Sequence, residues 1–207
     1  LIIESSSSTI IDGNTISGNE GGIWSFDSNG NNISYNVITV NTGDGIYVWD
    51  SDTNYISYNT LSSNTGRGIY LYNCYWNYLT SNTAINNNYG IVVEYSRNNT
   101  IINNNFNSNV WYGIYLYSSI NNTIGNNNAL SNYYGIGLSF SNENHIVNNT
   151  ANYCDMVGIY LLESNNNFLI SNIISNNDYD GMYLYNCSNN IITNNIAMYN
   201  KGSGIQL

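Results

Sequence analysis

Apolar residues in this chain fall into columns. Counted from Gly22, Gly45, Gly68, Gly90, Gly113, Gly135, Gly158, Gly181 and Gly204, the next residue is Ile or, once, Met, and two further on the residue is apolar in all but one unit, from Ser25, Val48 and Leu71 to Leu184 and Leu207. That alternation predicts a short strand with these side chains facing inward. A second apolar column follows at Ile33, Ile56, Leu79, Ile101, Ile124, Ile146, Leu169 and Ile192, and a third at Ile38, Leu61, Ala84, Phe106, Ala129, Ala151, Ile174 and Ala197. Asparagine columns separate them, at Asn31 to Asn190, Asn36 to Asn195 and Asn41 to Asn200, the last broken only by Cys154.

The glycines recur every 22 or 23 residues, a period that signals a repeat architecture. Each unit reads as three short strands between polar corners. No helical period survives, and the strands are too short to pair with their sequence neighbours. Coiling the chain so that each strand lies parallel to its equivalent one unit later satisfies every column at once. The predicted fold is all-β: a single-stranded right-handed parallel β-helix over residues 1–207, about nine coils of 22–23 residues with three short strands per coil. The asparagines are expected to take a left-handed backbone at the corners and to stack their amides into ladders. The chain stops inside the first strand of a further coil, at Gly204-Ile205-Gln206-Leu207. It is expected to be a piece of a longer coil or a unit that stacks end to end.

Composition narrows the function. There are 3 Lys plus Arg against 13 Asp plus Glu, a net charge of −10, 21 Tyr and no proline. So few basic side chains argue against nucleic acid and against anionic lipid, and no apolar run is long enough to span a bilayer. Cys74 and Cys187 hold equivalent positions five units apart, too far for a disulfide. With Cys154 they read as buried small side chains.

The outward positions of the first strand are aromatic in most coils: Trp24 and Phe26, Tyr47 and Trp49, Tyr70 and Tyr72, Tyr115 and Tyr117, Tyr183 and Tyr185, with Tyr160 alone. The series breaks at Val92/Glu94 and at Gly137/Ser139, while the preceding corner adds Tyr89, Trp111, Tyr112, Tyr133 and Tyr134. Two readings stand: rings stacking on one another to stabilise the sheet, or a contact surface for another protein copy or a glycan. The contact candidates are Trp49, Tyr70, Tyr72, Tyr89, Trp111, Tyr112, Tyr115, Tyr117, Tyr133 and Tyr134.

Asp44 and Arg67 are stacked with opposite sign and are expected to form a surface pair of little worth. Asp155 and Asp178 share a corner position in adjacent coils, with Asp180 two residues on. These could be a solvated acidic edge, an acid/nucleophile pair or a calcium site, although calcium wants six or more oxygens. His145 stands alone among titratable groups. No catalytic residue and no cofactor are assigned.

The pattern Gly68-Ile-Tyr-Leu-Tyr-Asn-Cys followed by Asn77-Tyr-Leu-Thr-Ser-Asn82 resembles the right-handed parallel β-helix repeat family, which includes carbohydrate-binding and sugar-hydrolase β-helix domains and the periplasmic copper-binding NosD-like proteins. The resemblance spans the chain and implies the fold. Pectin- and alginate-acting members would imply a cleft along the first sheet lined by Asp with Arg, Lys or His. The polygalacturonase and pectate lyase patterns are absent, so their catalytic residues carry over to no position here. One histidine does not supply a copper ligand set. The leading expectation is a non-enzymatic structural or interaction segment, extracellular or on a cell surface, meeting other copies through its aromatic face and open ends. The alternative is a glycan-binding module with Tyr115, Tyr117, Trp111 and Tyr134 as a platform, and after it a polysaccharide lyase or hydrolase.

Overall fold

The computed structural model describes residues 1–207, and it is a β-solenoid without a helix. Strands stack in parallel, each on its equivalent one coil away, as in Ile69 on Ile46 and on Ile91. The first face is a ten-stranded sheet running from Ile2–Glu4 to Ile205–Gln206, and the second has nine strands from Ile10–Asp12 to Ile191–Thr193. First-face strands are the longest, reaching six residues in Arg67–Tyr72, Tyr89–Glu94, Tyr112–Tyr117 and Tyr134–Ser139. The central coils therefore present the broadest outer surface there.

The third face departs from the expectation of a strand in every coil. It holds four paired strands from Thr15–Ser17 to Thr83–Ile85 and two more at Ile173–Ser175 and Ile196–Met198. Between these sets only single bridges run, through Asn105, Asn128 and Thr150. The sequence explains the gap. These coils read Asn105-Phe106-Asn107, Asn128-Ala129-Leu130 and Thr150-Ala151-Asn152, and Asn and Ala are poor strand formers beside the Ile, Val and Thr of the paired coils.

The three apolar columns meet in one core of 32 buried residues. Phe106, fully buried, lies between Ala84 and Ala129 in its column, so one large ring is accommodated by two small neighbours.

The asparagine ladders form, by a route different from the one expected. Asn127 Oδ1 accepts from the backbone N–H of Asn104 at 2.9 Å and from its Nδ2 at 3.0 Å. Asn127 Nδ2 in turn donates to Ile101 O at 2.8 Å and to Asn149 Oδ1 at 3.1 Å. The left-handed residue is the one before the ladder asparagine: Asn126 at φ 54°, Tyr35 at 55°, Trp76 at 54° and Glu143 at 58°. Asparagine is thus selected for its inward amide, which satisfies backbone groups stranded where the chain turns. A serine ladder does the same at the corner after the first strand, as in Ser28 N–H to Ser51 Oγ at 2.9 Å. Cys74 continues it by donating its N–H to Ser96 Oγ at 2.9 Å. All three cysteines are free thiols.

Candidate functional site

On the first face, alternation along each strand turns the second and fourth residues after the glycine outward. Their rings assemble into two rows along the solenoid axis. The outer row runs Phe26, Trp49, Tyr72, Tyr95, Tyr117, Phe140, with centroid separations of 5.7, 6.1, 5.5, 5.7 and 5.7 Å. Every contact in it is edge-to-face, the arrangement ring quadrupoles favour.

This row corrects the break expected at Glu94 and Ser139. In those two coils the ring comes from the next residue, Tyr95 or Phe140, whose backbone is left-handed at φ 49° and 52°. The corner conformation folds the side chain back against the neighbours in the row. The signal in the sequence is an aromatic five residues after Gly90 and Gly135, where the fourth is not aromatic; the row ends at Phe140 because the next coil carries Leu162 and Glu163 at these positions.

The inner row has two segments. Trp24, Tyr47 and Tyr70 make one, with Tyr47 and Tyr70 stacked at 4.8 Å. The other runs from Tyr89, Tyr112 and Tyr134, each just before its glycine, to the strand residues Tyr160 and Tyr183, at 6.0, 4.8, 5.7 and 5.7 Å. Tyr115 joins it 4.6 Å from Tyr112, and Trp111 joins through Tyr133 at 5.4 Å. Gly137 makes this possible. A Cβ there would lie 2.4 Å from Tyr112 Cε1, so the absent side chain is the bed on which the ring rests. The ten contact candidates divide between two connected groups: Trp49, Tyr70, Tyr72 and Tyr117 in one, and Tyr89, Trp111, Tyr112, Tyr115, Tyr133 and Tyr134 in the other. Tyr70, expected as a contact, is only 7% exposed, because Arg67 covers it.

Between the two segments lies a notch of about 250 Å³ lined by Gly66, Arg67, Asn88, Tyr89, Val92, Glu94 and Tyr115. The Arg67 guanidinium carbon sits 3.6 Å from the centroid of Tyr70, a cation–π contact. Its Nε and its backbone N–H both donate to Asp44 Oδ1, at 2.9 and 2.7 Å. The pair is not the exposed one expected: the Asp44 side chain is only 11% exposed. Burial works most strongly against the charge on Arg67, but Asp44, Tyr70 and Glu94 together outweigh it and raise the pKa. The Tyr70 hydroxyl donates to Glu94 Oε2 at 2.6 Å. Burial first, and Glu94 second, push its pKa well above the ordinary tyrosine value. Burial also raises those of Tyr89, Tyr112 and Tyr115. The surroundings thus hold charge on Arg67 and protons on the tyrosines. The notch offers ring faces, the unbonded amino groups of Arg67 and a carboxylate acceptor, a set suited to gripping a ligand that is both apolar-faced and hydroxylated.

The other candidates are dispersed. Asp178 pairs with Lys201 at 2.9 Å, and Asp180 Oδ1 accepts the Ser203 N–H at 2.6 Å. Asp155 is exposed. No three His, Cys, Asp or Glu side chains gather as a metal site. His145 stacks on Phe168 at 4.6 Å. Burial pushes the Cys74 and Cys154 thiols up to about 12, which keeps them protonated and poor as ligands. The second face carries a further stack, Tyr55 on Tyr78 at 5.5 Å, and the corner after it another, Tyr35 on Tyr58 at 4.9 Å. Each spans only two coils.

Comparison with known proteins gives a consistent picture of the fold. Residues 89–207 match the family described as right handed beta helix region, and residues 1–112 match the one described as periplasmic copper-binding protein (NosD). By sequence, no curated protein matches the chain. Among solved structures, it is similar to the A-module of the Azotobacter vinelandii mannuronan C-5 epimerase AlgE4, with TM-score 0.77, 16% identity, and coverage of 95% of this chain and 64% of that one. A double mutant of the periplasmic alginate epimerase AlgG gives TM-score 0.83 at 17% identity, covering 90% of this chain and 50% of that one. The catalytic domain of a GH87 alpha-1,3-glucanase in complex with nigerose gives 0.66 at 14% identity, covering 99% and 49%. At these identities the likeness establishes the fold, and the chain spans between half and two thirds of the length of these structures.

Proposed function

The chain belongs to the right-handed parallel β-helix repeat family, and on that premise we propose that its first face is a polysaccharide-contact surface. The observation that carries this reading is the continuous outer row of six rings beside a notch that presents Arg67, Glu94 and Tyr115 together. A pyranose has apolar C–H faces and a rim of hydroxyls. The rows supply flat apolar partners at the spacing of successive coils, and the notch supplies a donor and an acceptor that fix orientation. Carbohydrate-active proteins among the structural neighbours support the same assignment. A location outside the cytoplasm accords with it, and with the word periplasmic in two of the matching descriptions.

The test is polysaccharide retention of the chain and of two variants. Tyr115→Ala and Trp111→Ala should each weaken retention about ten-fold, with far-UV circular dichroism unchanged. Full retention by both variants would remove the first face from the contact.

Contact between copies of the chain is a second reading of the same surface, supported by the exposure of Trp49 and Tyr185, 43% and 55%. Sedimentation equilibrium separates the two: concentration-dependent mass lost in Trp49→Ser favours self-contact. Copper binding, named for one matching family, finds no gathered ligand set in the side chains present.

A further inference from the structure

Resting on the reading of the first face as a polysaccharide surface, we infer that its ligand is an uncharged glycan. The charges around the rows carry the argument. The chain has three basic side chains against thirteen acidic ones. Arg67 is engaged by Asp44 and Lys201 by Asp178, each at 2.9 Å. Arg97 lies beyond the corner, its guanidinium 4.6 Å from the ring centroid of Tyr75. No basic side chain on the first face is free of an acidic partner.

Carboxylates border the rows instead. Glu4, Asp27 and Asp50 line a second hollow of about 210 Å³ with Phe26 and Trp49. Glu94 stands in the notch, and Glu163 holds the same register position as Asp27 and Asp50. None of the five is in an ion pair. Asp50 accepts from Asn73 Nδ2 and Glu94 from the Tyr70 hydroxyl, both neutral donors. A polyuronate or sulfated chain laid along the rows would bring its own anions beside these carboxylates with no cation to offset them. An uncharged sugar meets the same groups as partners. Its hydroxyls donate charge-assisted hydrogen bonds to Glu94, Asp27 and Asp50, and its oxygens accept from the free amino groups of Arg67. A polycation would be drawn to the same carboxylates by net charge, but it would leave the apolar ring faces and the free amino groups of Arg67 unused, and its binding would be removed by salt.

The experiment is native affinity electrophoresis of the 207-residue chain in gels cast with hydroxyethylcellulose, galactomannan or dextran, and in gels with sodium alginate or polygalacturonate. Pelleting with glycol chitosan covers the cationic class. Retardation in at least one neutral gel, about ten-fold stronger than in either anionic gel, is the expected result. Centrifugal filtration should then show neutral binding unchanged at about 0.5 M sodium chloride, because the contact is not between net charges. Equal or tighter binding to alginate or polygalacturonate, or binding to glycol chitosan alone that salt removes, overturns the uncharged class and leaves the surface reading standing. Binding to none of the polymers overturns both.

Discussion

The inside and the outside of this solenoid solve the stacking problem differently. Inside, a ladder keeps the same residue at the same position almost throughout, with Cys154 the one replacement among the ladder asparagines. Asn104, Asn127 and Asn149 each hold one backbone N–H and one side-chain amide of the coil before. Outside, the outer row keeps a ring in each of six successive coils and is indifferent to which position supplies it. The fourth residue gives Tyr72 and Tyr117, and the fifth gives Tyr95 and Phe140. Hydrogen bonds are directional and tolerate little displacement, whereas an edge-to-face contact survives over a range of centroid distances. The backbone therefore dictates identity within and only occupancy without.

Alkali should separate the two regions most strongly, because an asparagine amide does not titrate and the rings do. Burial, the largest cause at each, raises the pKa of Tyr47, Tyr70, Tyr89, Tyr112, Tyr115, Tyr134 and Tyr160 above the ordinary 10.0. The folded chain keeps protons that the unfolded chain releases from pH 10.0 upward, so stability is complete below that value and falls as pH rises through the raised values. Thermal unfolding followed by circular dichroism should give a constant Tm up to about pH 9 and a steep decline above 10. A flat profile to about pH 12 would mean that the fold does not hold protons on these tyrosines.

Next in size is the ladder. Asn127→Ala strands the Asn104 N–H and removes the amide bonds to Ile101 O and Asn149 Oδ1, a loss of about 3 kcal/mol in urea unfolding, at ~1–3 kcal/mol for the unsatisfied group and ~1 kcal/mol for each further bond. Tyr117→Ala removes edge-to-face contacts with Tyr95 and Phe140 and should cost about 2 kcal/mol with its buried area. Smallest is Phe140→Asn. It gives up one ring contact and relieves a bulky side chain of a left-handed backbone, so the two effects should cancel to within about 0.5 kcal/mol. If Phe140→Asn proved as costly as Asn127→Ala, the distinction between identity and occupancy would fail.

The same distinction governs what could be read from the sequence. Core and ladders were legible because Ile114, Leu116 and Asn127 recur in chemical kind at fixed spacing. What misled was the role of asparagine. The left-handed corner residue is Tyr35, Trp76 or Phe140 as readily as Asn126, since the fold sets that conformation and the local residue bears its cost. The unbroken outer row was hidden because strand alternation says nothing about a corner side chain. Stacking by one coil found the Asp44–Arg67 pair, and the same rule reaches Asp178–Lys201, 23 residues apart. Neither pairing announces its burial. That Asp44 is sunk while Asp178 remains about half exposed depends on the cover around Arg67 and Tyr70, which a one-dimensional pattern does not carry.

The most direct test of the polysaccharide surface is hydroxyl-radical footprinting of the chain with and without a neutral polymer that retains it. Protection is predicted at Tyr72, Trp111, Tyr115 and Tyr117 on the first face, with Tyr78 on the second face and Tyr35 and Tyr58 at the corner after it oxidised as in the free chain. Protection centred on these last three, or equal in both regions, would contradict the account.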